Sequence, residues 1–231
     1  MYTGWQCMPK KGYNMIPEIF WMWDRASKNR IENWASNSGA YKVVTFGNPW
    51  IAVNNHGLIK RKKTEDAIFL KKENRKKFVI LLALQPFKNI TECFPDFLQR
   101  FIHENDQLFW AVRKHPRMII KDEELSHYFD GRAFDIEQST QLQLFDILPK
   151  IDIVFTYYST VAFEAHYFKK KVVIIHPEGK KVMSEMIKSG DFKYAETVQD
   201  LHAAITEEPH VRTPNSFTNI DLMRFHLKRI I

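Results

Sequence analysis

The feature that most constrains the fold of this chain is a regular alternation of short apolar segments with helical segments from residue 77 onward. The longest apolar run, FVILLAL at residues 78–84, has seven residues and is typical of a strand covered on both faces. Further strands are predicted at residues 108–112, 132–136, 151–155, 172–175 and 192–195. Helices are predicted at residues 95–104, 122–129, 142–148, 161–168, 182–189 and 198–206. The alternation predicts an α/β fold, a Rossmann-like parallel sheet with helices on both faces.

Composition divides the chain into four segments. Residues 1–59 form an aromatic-rich N-terminal segment that holds five of the six tryptophans, with strands predicted at residues 18–23 and 41–46. A basic linker is expected at residues 60–77, a Rossmann-like domain at 78–210 and an amphipathic C-terminal helix at 211–231.

Several classes of protein are not expected. No apolar run approaches the ~20 residues that a membrane-spanning helix needs, and no signal peptide is expected at the start of the sequence. Cys7 and Cys93 form neither a disulfide framework nor a metal spacing, so both are interpreted as reduced, buried thiols. The expected location is therefore the cytoplasm, either free or peripheral to the inner membrane.

The positive charge is concentrated in one segment. The formal net charge is +7, and residues 60–77 carry nine cations and three anions, which together account for +6. One interpretation is a solvated linker, and another is attraction to anionic lipid or to an anionic acceptor. Nucleic acid is not expected as a partner, because no interleaving of basic and aromatic residues continues beyond the segment.

Motifs of several common enzyme classes are absent. The eight glycines are widely spaced, so the chain has neither the G-x-G-x-x-G fingerprint nor a P-loop, which argues against a dehydrogenase or a common NTPase. There is no G-x-S-x-G, no H-E-x-x-H and no Asp-x-Asp pair. The sequence therefore predicts a site that works with no cofactor and without a bound metal.

Polar residues follow two of the predicted strands and form the candidate site. Parallel sheets bind ligands at the carboxyl ends of their strands, near the switch in strand order. Cations there can neutralise phosphate, and a helix start after the second of these strands can attract it. The candidate residues are Arg113, His115, Pro116 and Arg117 after one strand, Ser159 and Thr160 after the other, and Glu164 one turn into the following helix.

Each of these features has a structural alternative. Ser159-Thr160 can be an ordinary helix N-cap, and Glu164 can be an exposed helix residue. His115-Pro116 can simply end a strand. The second His-Pro pair, in the segment at residues 176–179 (HPEG), is interpreted mainly as a turn.

The segment IDIVFTYYSTVAFEAHYFKKKVVII, together with His115-Pro116, resembles the C-terminal donor-binding half of GT-B-fold bacterial glycosyltransferases. The likeness is greatest to sialyltransferases, capsule and Kdo transferases, and CDP-glycerol glycerophosphotransferases. In those families a His-Pro motif and a Ser-Ser or Ser-Thr motif bind the nucleotide of a cytidine-activated donor. The resemblance implies this role for His115-Pro116 and Ser159-Thr160, and it implies a contact with the donor ribose for Glu164.

Two positions depart from the pattern of these families. Gln6-Cys7-Met8 stands where a Gln-His-Gly often occurs, and Tyr157 stands where the glycerophosphotransferases tend to have an aspartate. The N-terminal acceptor domain, which usually supplies the catalytic base in inverting members, is expected to be missing from residues 1–231. The catalytic residues are therefore left unassigned.

The resemblance implies a nucleotide-sugar donor-binding domain of a metal-independent glycosyltransferase for bacterial surface polysaccharide, such as capsule or lipopolysaccharide. A CMP- or CDP-linked donor is favoured over a UDP-linked one, and the acceptor would be a glycan or a lipid-linked glycan. One alternative is a nucleotide-sugar epimerase, although those enzymes typically have a Gly-Gly before the glutamate. Another is a non-catalytic GT-B-like scaffold at the membrane surface.

Overall fold

The computed structural model describes residues 19–23, 28–29, 31–32, 42–45, 47–48, 51 and 77–207. These residues belong to two compact units, one containing the described residues up to 51 and the other containing residues 77–207. Cys7, most of the basic segment and the predicted C-terminal helix lie outside the described residues. The four segment boundaries drawn from composition remain predictions.

The first unit contains two short parallel strands, β1 (Ile19–Met22) and β2 (Lys42–Thr45). They are the two strands that the aromatic-rich N-terminal sequence predicts. The indole N–H of Trp21 donates a hydrogen bond to the Gly47 carbonyl at 2.8 Å, which joins the end of the first strand to the residues that follow the second.

The second unit is built on six parallel strands, in the order β5-β4-β3-β6-β7-β8. The apolar runs form these strands because helices cover both faces, which is the architecture that the sequence predicts. The fold class is therefore confirmed as α/β with a Rossmann-like parallel sheet. The strands are β3 (Phe78–Ala83), β4 (Leu108–Arg113), β5 (Ala133–Asp135), β6 (Ile153–Thr156), β7 (Lys171–Ile174) and β8 (Lys193–Tyr194).

Nine α-helices and two 3-10 turns lie within residues 77–207. None of the described helices is long and apolar enough to cross a membrane. The α-helices are α1 (Ile90–Cys93), α2 (Asp96–Glu104), α3 (Asp122–Ser126), α4 (Glu137–Gln141), α5 (Leu144–Ile147), α6 (Val161–Tyr167), α7 (Pro177–Val182), α8 (Ser184–Lys188) and α9 (Val198–Thr206), and the 3-10 turns are His127–Phe129 and Leu148–Lys150.

Two predicted helices and one predicted turn differ from the structure. The helix predicted at residues 142–148 forms as α5 and the 3-10 turn that follows it, and the preceding helix α4 was not predicted. Helix α4 begins where the Asp135 carboxylate accepts from the backbone N–H of Ser139 at 2.6 Å and of Gln138 at 3.3 Å. The helix predicted from residue 182 begins earlier, at Pro177, and is split into α7 and α8. The segment at residues 176–179 is therefore a helix start and not a turn.

The core lies between the sheet and the helices, and its largest side chains are aromatic. Trp110 and Phe155 on β4 and β6 contact Phe101 of α2, with ring centroids 6.1 and 6.0 Å from that ring. All three side chains are fully buried, so α2 is fixed against the middle of the sheet. Burial of rings of this size is the largest favourable contribution to such a fold.

The carboxyl ends of the central strands are level with one another. Arg113 at the end of β4 and Thr156 at the end of β6 are both in register with Ala83 at the end of β3, and Ile174 of β7 pairs with Thr156. From β3 the strand order runs outward in both directions, so the switch in strand order lies between β3 and β6. The loops that follow these four strands meet at one edge of the sheet.

Candidate functional site

The predicted site residues all lie at this carboxyl edge. Arg113 ends β4, and His115, Pro116 and Arg117 form the turn that follows it. Ser159 and Thr160 lie between β6 and α6, and Glu164 lies within α6. The edge of the sheet was predictable, because parallel strands end on the same side.

Arg113 is partly buried and holds the backbone of the next connection in place. Its Nη1 donates to the carbonyls of Ser139 and Leu142, both at 2.7 Å. These carbonyls lie near the end of α4, where helix carbonyls lack partners and favour a cation. Burial lowers the pKa of Arg113, and the nearby Glu164 carboxylate acts in the opposite direction. Arg113 is therefore a structural clamp and also a fixed positive charge at the edge of the sheet.

Glu164 brings a partly buried carboxyl group to the same place. Burial raises the pKa of Glu164 from 4.5 to about 7, while a backbone hydrogen bond and the charge of Arg113 lower it. Its Oε2 atom is buried and has no hydrogen-bond partner among the described residues. Glu164 is thus not the exposed helix residue of the structural alternative. It has unused hydrogen-bonding capacity beside a cation, as a contact with a ligand hydroxyl would require.

His115 is held in one tautomer by the turn that contains it. Its Nδ1 accepts a hydrogen bond from the backbone N–H of Arg117 at 3.1 Å, so the ring proton is on Nε2. Burial and then the charge of Arg117 lower the pKa of His115 below its ordinary value of 6.5. The ring is therefore neutral at pH 7 and offers Nε2–H as a donor. Pro116 and Arg117 are exposed, so the turn both ends the strand and presents polar groups.

Ser159 and Thr160 have different roles at the start of α6. The Ser159 hydroxyl accepts from the backbone N–H of Val161 at 3.3 Å. Thr160 occupies the N-cap position, and its side chain makes no capping hydrogen bond. The ordinary capping role thus belongs to Ser159, while the Thr160 hydroxyl is unused by the helix.

Sequence reasoning missed the second His-Pro pair as part of this edge. His176 is the N-cap of α7, and its Nδ1 accepts from the backbone N–H of Glu178 at 3.1 Å. Pro177 fits the first helical position because it needs no hydrogen bond there. The recurrence of His-Pro after a later apolar strand was the signal that could have identified it.

Gly179 explains why this helix can lie so close to the edge. A Cβ atom at Gly179 would lie 1.7 Å from the Tyr157 carbonyl oxygen and 2.5 Å from Cγ2 of Ile174. Only a glycine allows α7 to pack directly on the backbone that follows β6. The position of His176 therefore depends on the lack of a side chain at Gly179.

No group of three or more His, Cys, Asp or Glu side chains that could hold a metal ion occurs among the described residues. Among the predicted site residues, the charged groups at the edge are Arg113, Arg117 and Glu164, and His115 and Thr160 add neutral donors. This set favours an anionic ligand that also carries hydroxyl groups.

No family model matches the sequence, and no curated protein matches it. Among solved structures, the chain is similar to the UDP-GlcNAc 2-epimerase of Methanocaldococcus jannaschii in complex with UDP-GlcNAc and UDP, with a TM-score of 0.59 and 13% identity. That alignment covers 91% of this chain and 61% of the epimerase. This chain thus spans less than two thirds of the epimerase.

Two further structures align with lower scores. The wall teichoic acid polymerase TagF aligns with a TM-score of 0.48 and 16% identity, over 90% of this chain and 51% of TagF. KpsC of Thermosulfurimonas dismutans, a β-Kdo 2,4 transferase, aligns with a TM-score of 0.39 and 12% identity, over 81% of this chain and 78% of KpsC.

The sheet order and the epimerase alignment together define the class of fold. The chain has a GT-B-like, Rossmann-like α/β fold with its candidate site at the carboxyl edge of the sheet. This conclusion concerns the fold, because one fold of this kind supports many activities.

Proposed function

We propose that this chain is the nucleotide-sugar donor-binding part of a metal-independent, inverting glycosyltransferase that acts on a bacterial surface polysaccharide. The observation that carries the proposal is the proximity of Arg113 and Glu164 at the carboxyl edge. It places a cation suited to phosphate beside a carboxyl group suited to ribose hydroxyls. The resemblance of His115-Pro116 and Ser159-Thr160 to donor-binding motifs favours a CMP- or CDP-linked sugar over a UDP-linked one.

In this proposal the edge stabilises a departing phosphate. The Nε2–H of His115 and the exposed Arg117 donate to phosphate oxygens, and the Thr160 hydroxyl adds a donor at the start of α6. Glu164 accepts from the ribose. Direct displacement at the anomeric carbon then leaves negative charge where these groups can stabilise it.

The proposal assigns no catalytic base among the described residues. The imidazoles of His115 and His176 both use Nδ1 to accept a backbone N–H, so each presents a proton at Nε2. A general base must instead present a free lone pair to the acceptor hydroxyl. Neither imidazole is therefore assigned as the base, and the base is left unassigned.

Calorimetric titration of the chain with CMP, CDP, UDP and GDP tests the proposal. We expect a cytidine nucleotide to bind, and His115→Ala to weaken binding by about 1–3 kcal/mol through loss of a charge-assisted hydrogen bond. His103→Ala is the matched control, because His103 is an exposed residue in the last turn of α2, at the opposite edge of the sheet. Its binding should equal that of the unmodified chain.

Two results would change the conclusion. A preference for UDP would reject the cytidine-linked donor and keep a nucleotide-sugar site. Failure of all four nucleotides to bind would overturn the proposal and leave only the fold.

A further inference from the structure

The two His-Pro pairs are equivalent in position as well as in hydrogen bonding. His115 lies two residues beyond Arg113, and His176 lies two residues beyond Ile174, and the register places both strand ends at the level of Ala83. Strands β4 and β7 are three strand spacings apart in the sheet, which is about 14 Å. The two imidazoles therefore stand on opposite sides of the switch in strand order, and each offers Nε2–H.

The surroundings of the two histidines differ in character. His115 is next to the exposed cation Arg117, whereas His176 lies among aromatic rings and near the carboxylates of Glu178 and Glu92. Its ring centroid is 5.7 Å from that of Phe87 and 5.7 Å from that of Tyr158. These three rings come from the loops after β3, β6 and β7, and we call them the ring cluster. A wall of this kind suits an uncharged, ring-shaped group more than a phosphate.

One side of the ring cluster packs against the core, and the other side is more accessible to solvent. Phe87 is buried and packs edge-on against Tyr157 at 5.0 Å. The Tyr157 hydroxyl in turn donates to the Cys93 carbonyl inside the core. Tyr158 and His176 are only half-buried, and neither the Tyr158 hydroxyl nor Nε2 of His176 has a hydrogen-bond partner among the described residues. Two polar groups are thus available on an aromatic surface.

The position of Glu164 decides which end of a ligand meets the ring cluster. His115 and Arg117, the proposed phosphate donors, follow β4, whereas His176 and Tyr158 of the ring cluster follow β7 and β6 on the other side of β3. The charge of Arg113 at the end of β4 also acts on Glu164, so a ribose bound to Glu164 lies toward the β4 side. The diphosphate then passes the turn at His115 and the start of α6. The group attached to the far end of the diphosphate is the part directed toward β7.

We propose that the ring cluster, Phe87, Tyr158 and His176, binds the sugar of the nucleotide sugar, with Nε2–H of His176 donating to a sugar oxygen. The C–H face of a sugar ring packs against Tyr158, while its hydroxyl groups meet the two polar tips. This inference rests on the proposed donor site, because the direction of the ligand follows from Glu164.

The test compares a nucleotide with its sugar conjugate on the same chain. Calorimetry with CMP against CMP-N-acetylneuraminate, and with UDP against UDP-N-acetylglucosamine, isolates the contribution of the sugar. In His176→Asn the shorter side chain keeps an acceptor that can cap α7 and loses the imidazole. We expect affinity for the sugar conjugate to fall about 3- to 10-fold, the loss of one neutral hydrogen bond, with no change for the free nucleotide.

A second variant tests the same inference in case His176→Asn does not fold. Tyr158→Leu removes an aromatic face and should weaken the sugar conjugate by about 2- to 10-fold, again without effect on CMP or UDP. His115→Ala should weaken the nucleotide and its conjugate equally, because both carry the phosphate.

The outcomes separate the two proposals. Normal binding of free nucleotide with no effect of either ring-cluster variant on the conjugate would overturn this inference and leave the donor site intact. Equal losses for free nucleotide and conjugate would also overturn it, since the rings would then hold the base or the phosphate. Absence of all nucleotide binding in the unmodified chain would overturn both.

Discussion

At the scale of single residues, Glu164 connects the chemistry of the site to pH. Its partly buried carboxyl group has a pKa raised from 4.5 to about 7, so it changes charge near neutrality. His115 and His176 do not share this behaviour in the same range, because burial lowers the pKa of each below 6.5. A change in binding between neutral and mildly alkaline pH would therefore report on Glu164.

We expect the affinity for a nucleotide sugar to rise as the pH increases through about 7, because the ionised Glu164 carboxylate is the better acceptor for a ribose hydroxyl. Titrations across this range should show the rise in the unmodified chain and a flat profile in Glu164→Gln. The esterified diphosphate of a nucleotide sugar does not titrate near pH 7, so it does not contribute to the change of affinity with pH. A rise that persists in Glu164→Gln would reject Glu164 as its source.

The raised pKa of Glu164 makes its contribution to the stability of the unliganded chain fall as the pH rises, whereas the predicted affinity rises. The folded state holds the Glu164 proton more tightly than the unfolded state. The contribution of Glu164 to stability is therefore greatest below about pH 4.5 and declines until the pH passes about 7. The full shift corresponds to at most about 3 kcal/mol. Denaturant unfolding of Glu164→Gln at several pH values should lack this component of the decline. An unchanged pH profile in the variant would contradict the assigned shift.

At the scale of elements, Gly179 sets the distance between α7 and the loop after β6. Helix propensity alone predicts that Gly179→Ala stabilises α7 by about 1 kcal/mol. The contact with the Tyr157 carbonyl oxygen at 1.7 Å predicts the reverse, because a backbone atom cannot move aside as a flexible side chain can. We expect Gly179→Ala to lower the free energy of unfolding by about 1–3 kcal/mol, the cost of overpacking, in urea unfolding followed by circular dichroism.

A surface variant separates this effect from ordinary helix propensity. Lys188→Ala changes an exposed position in the neighbouring α8, and its stability should stay within about 0.5 kcal/mol of the unmodified chain. If Gly179→Ala were stabilising, the close approach of α7 to the backbone of Tyr157 would be wrong, and with it the placement of His176.

The elements also show what local sequence can and cannot specify. The apolar runs of β3, β4, β6 and β7 predicted the sheet because burial on both faces leaves a continuous apolar signal. Helix α4 has the sequence EQSTQ, which carries no apolar periodicity, and it forms because the Asp135 carboxylate binds its first N–H groups. The segment that begins α7 has the Pro and Gly of a turn, and the hydrogen bond that the Glu178 backbone N–H donates to Nδ1 of His176 favours the helix.

The same distinction applies to the candidate site. Its location was predictable, because strand ends in a parallel sheet share one edge. The proximity of Arg113 to Glu164 depends on the rotation of α6 against the sheet, and the ring cluster depends on three loops that are distant in sequence. Neither the proximity of Arg113 to Glu164 nor the ring cluster produces a pattern in the local sequence, because both arise from tertiary packing.

At the scale of the whole molecule, the charge is far from evenly distributed. Residues 60–77 carry +6 of the net +7, so the rest of the chain is nearly neutral. A cluster of this kind attracts anionic membrane surfaces, at about 1 kcal/mol for each cation near the surface. Under the proposed function, attachment to an anionic membrane would bring the donor site close to a lipid-linked acceptor.

We expect the chain to bind vesicles that contain phosphatidylserine and not vesicles of phosphatidylcholine alone. Sedimentation with vesicles should show binding that disappears at ionic strengths near 1 M, where the screening length is about 3 Å. Reversing Lys71, Lys72 and Lys76 to glutamate should weaken binding by well over about 10-fold. Binding that is insensitive to salt, or equal on neutral vesicles, would reject an electrostatic attachment.

The matched control makes the same change in net charge elsewhere. Arg100, Lys150 and Lys188 are exposed cations of the sheet unit, and their reversal to glutamate should leave most of the vesicle binding intact if the segment is the binding surface. Equal loss in both triple variants would mean that net charge, and not the segment, controls attachment. Vesicle binding without nucleotide binding would favour a scaffold at the membrane surface. Both activities in one chain, with separate sensitivity to the segment and to His115, would favour a membrane-associated donor site.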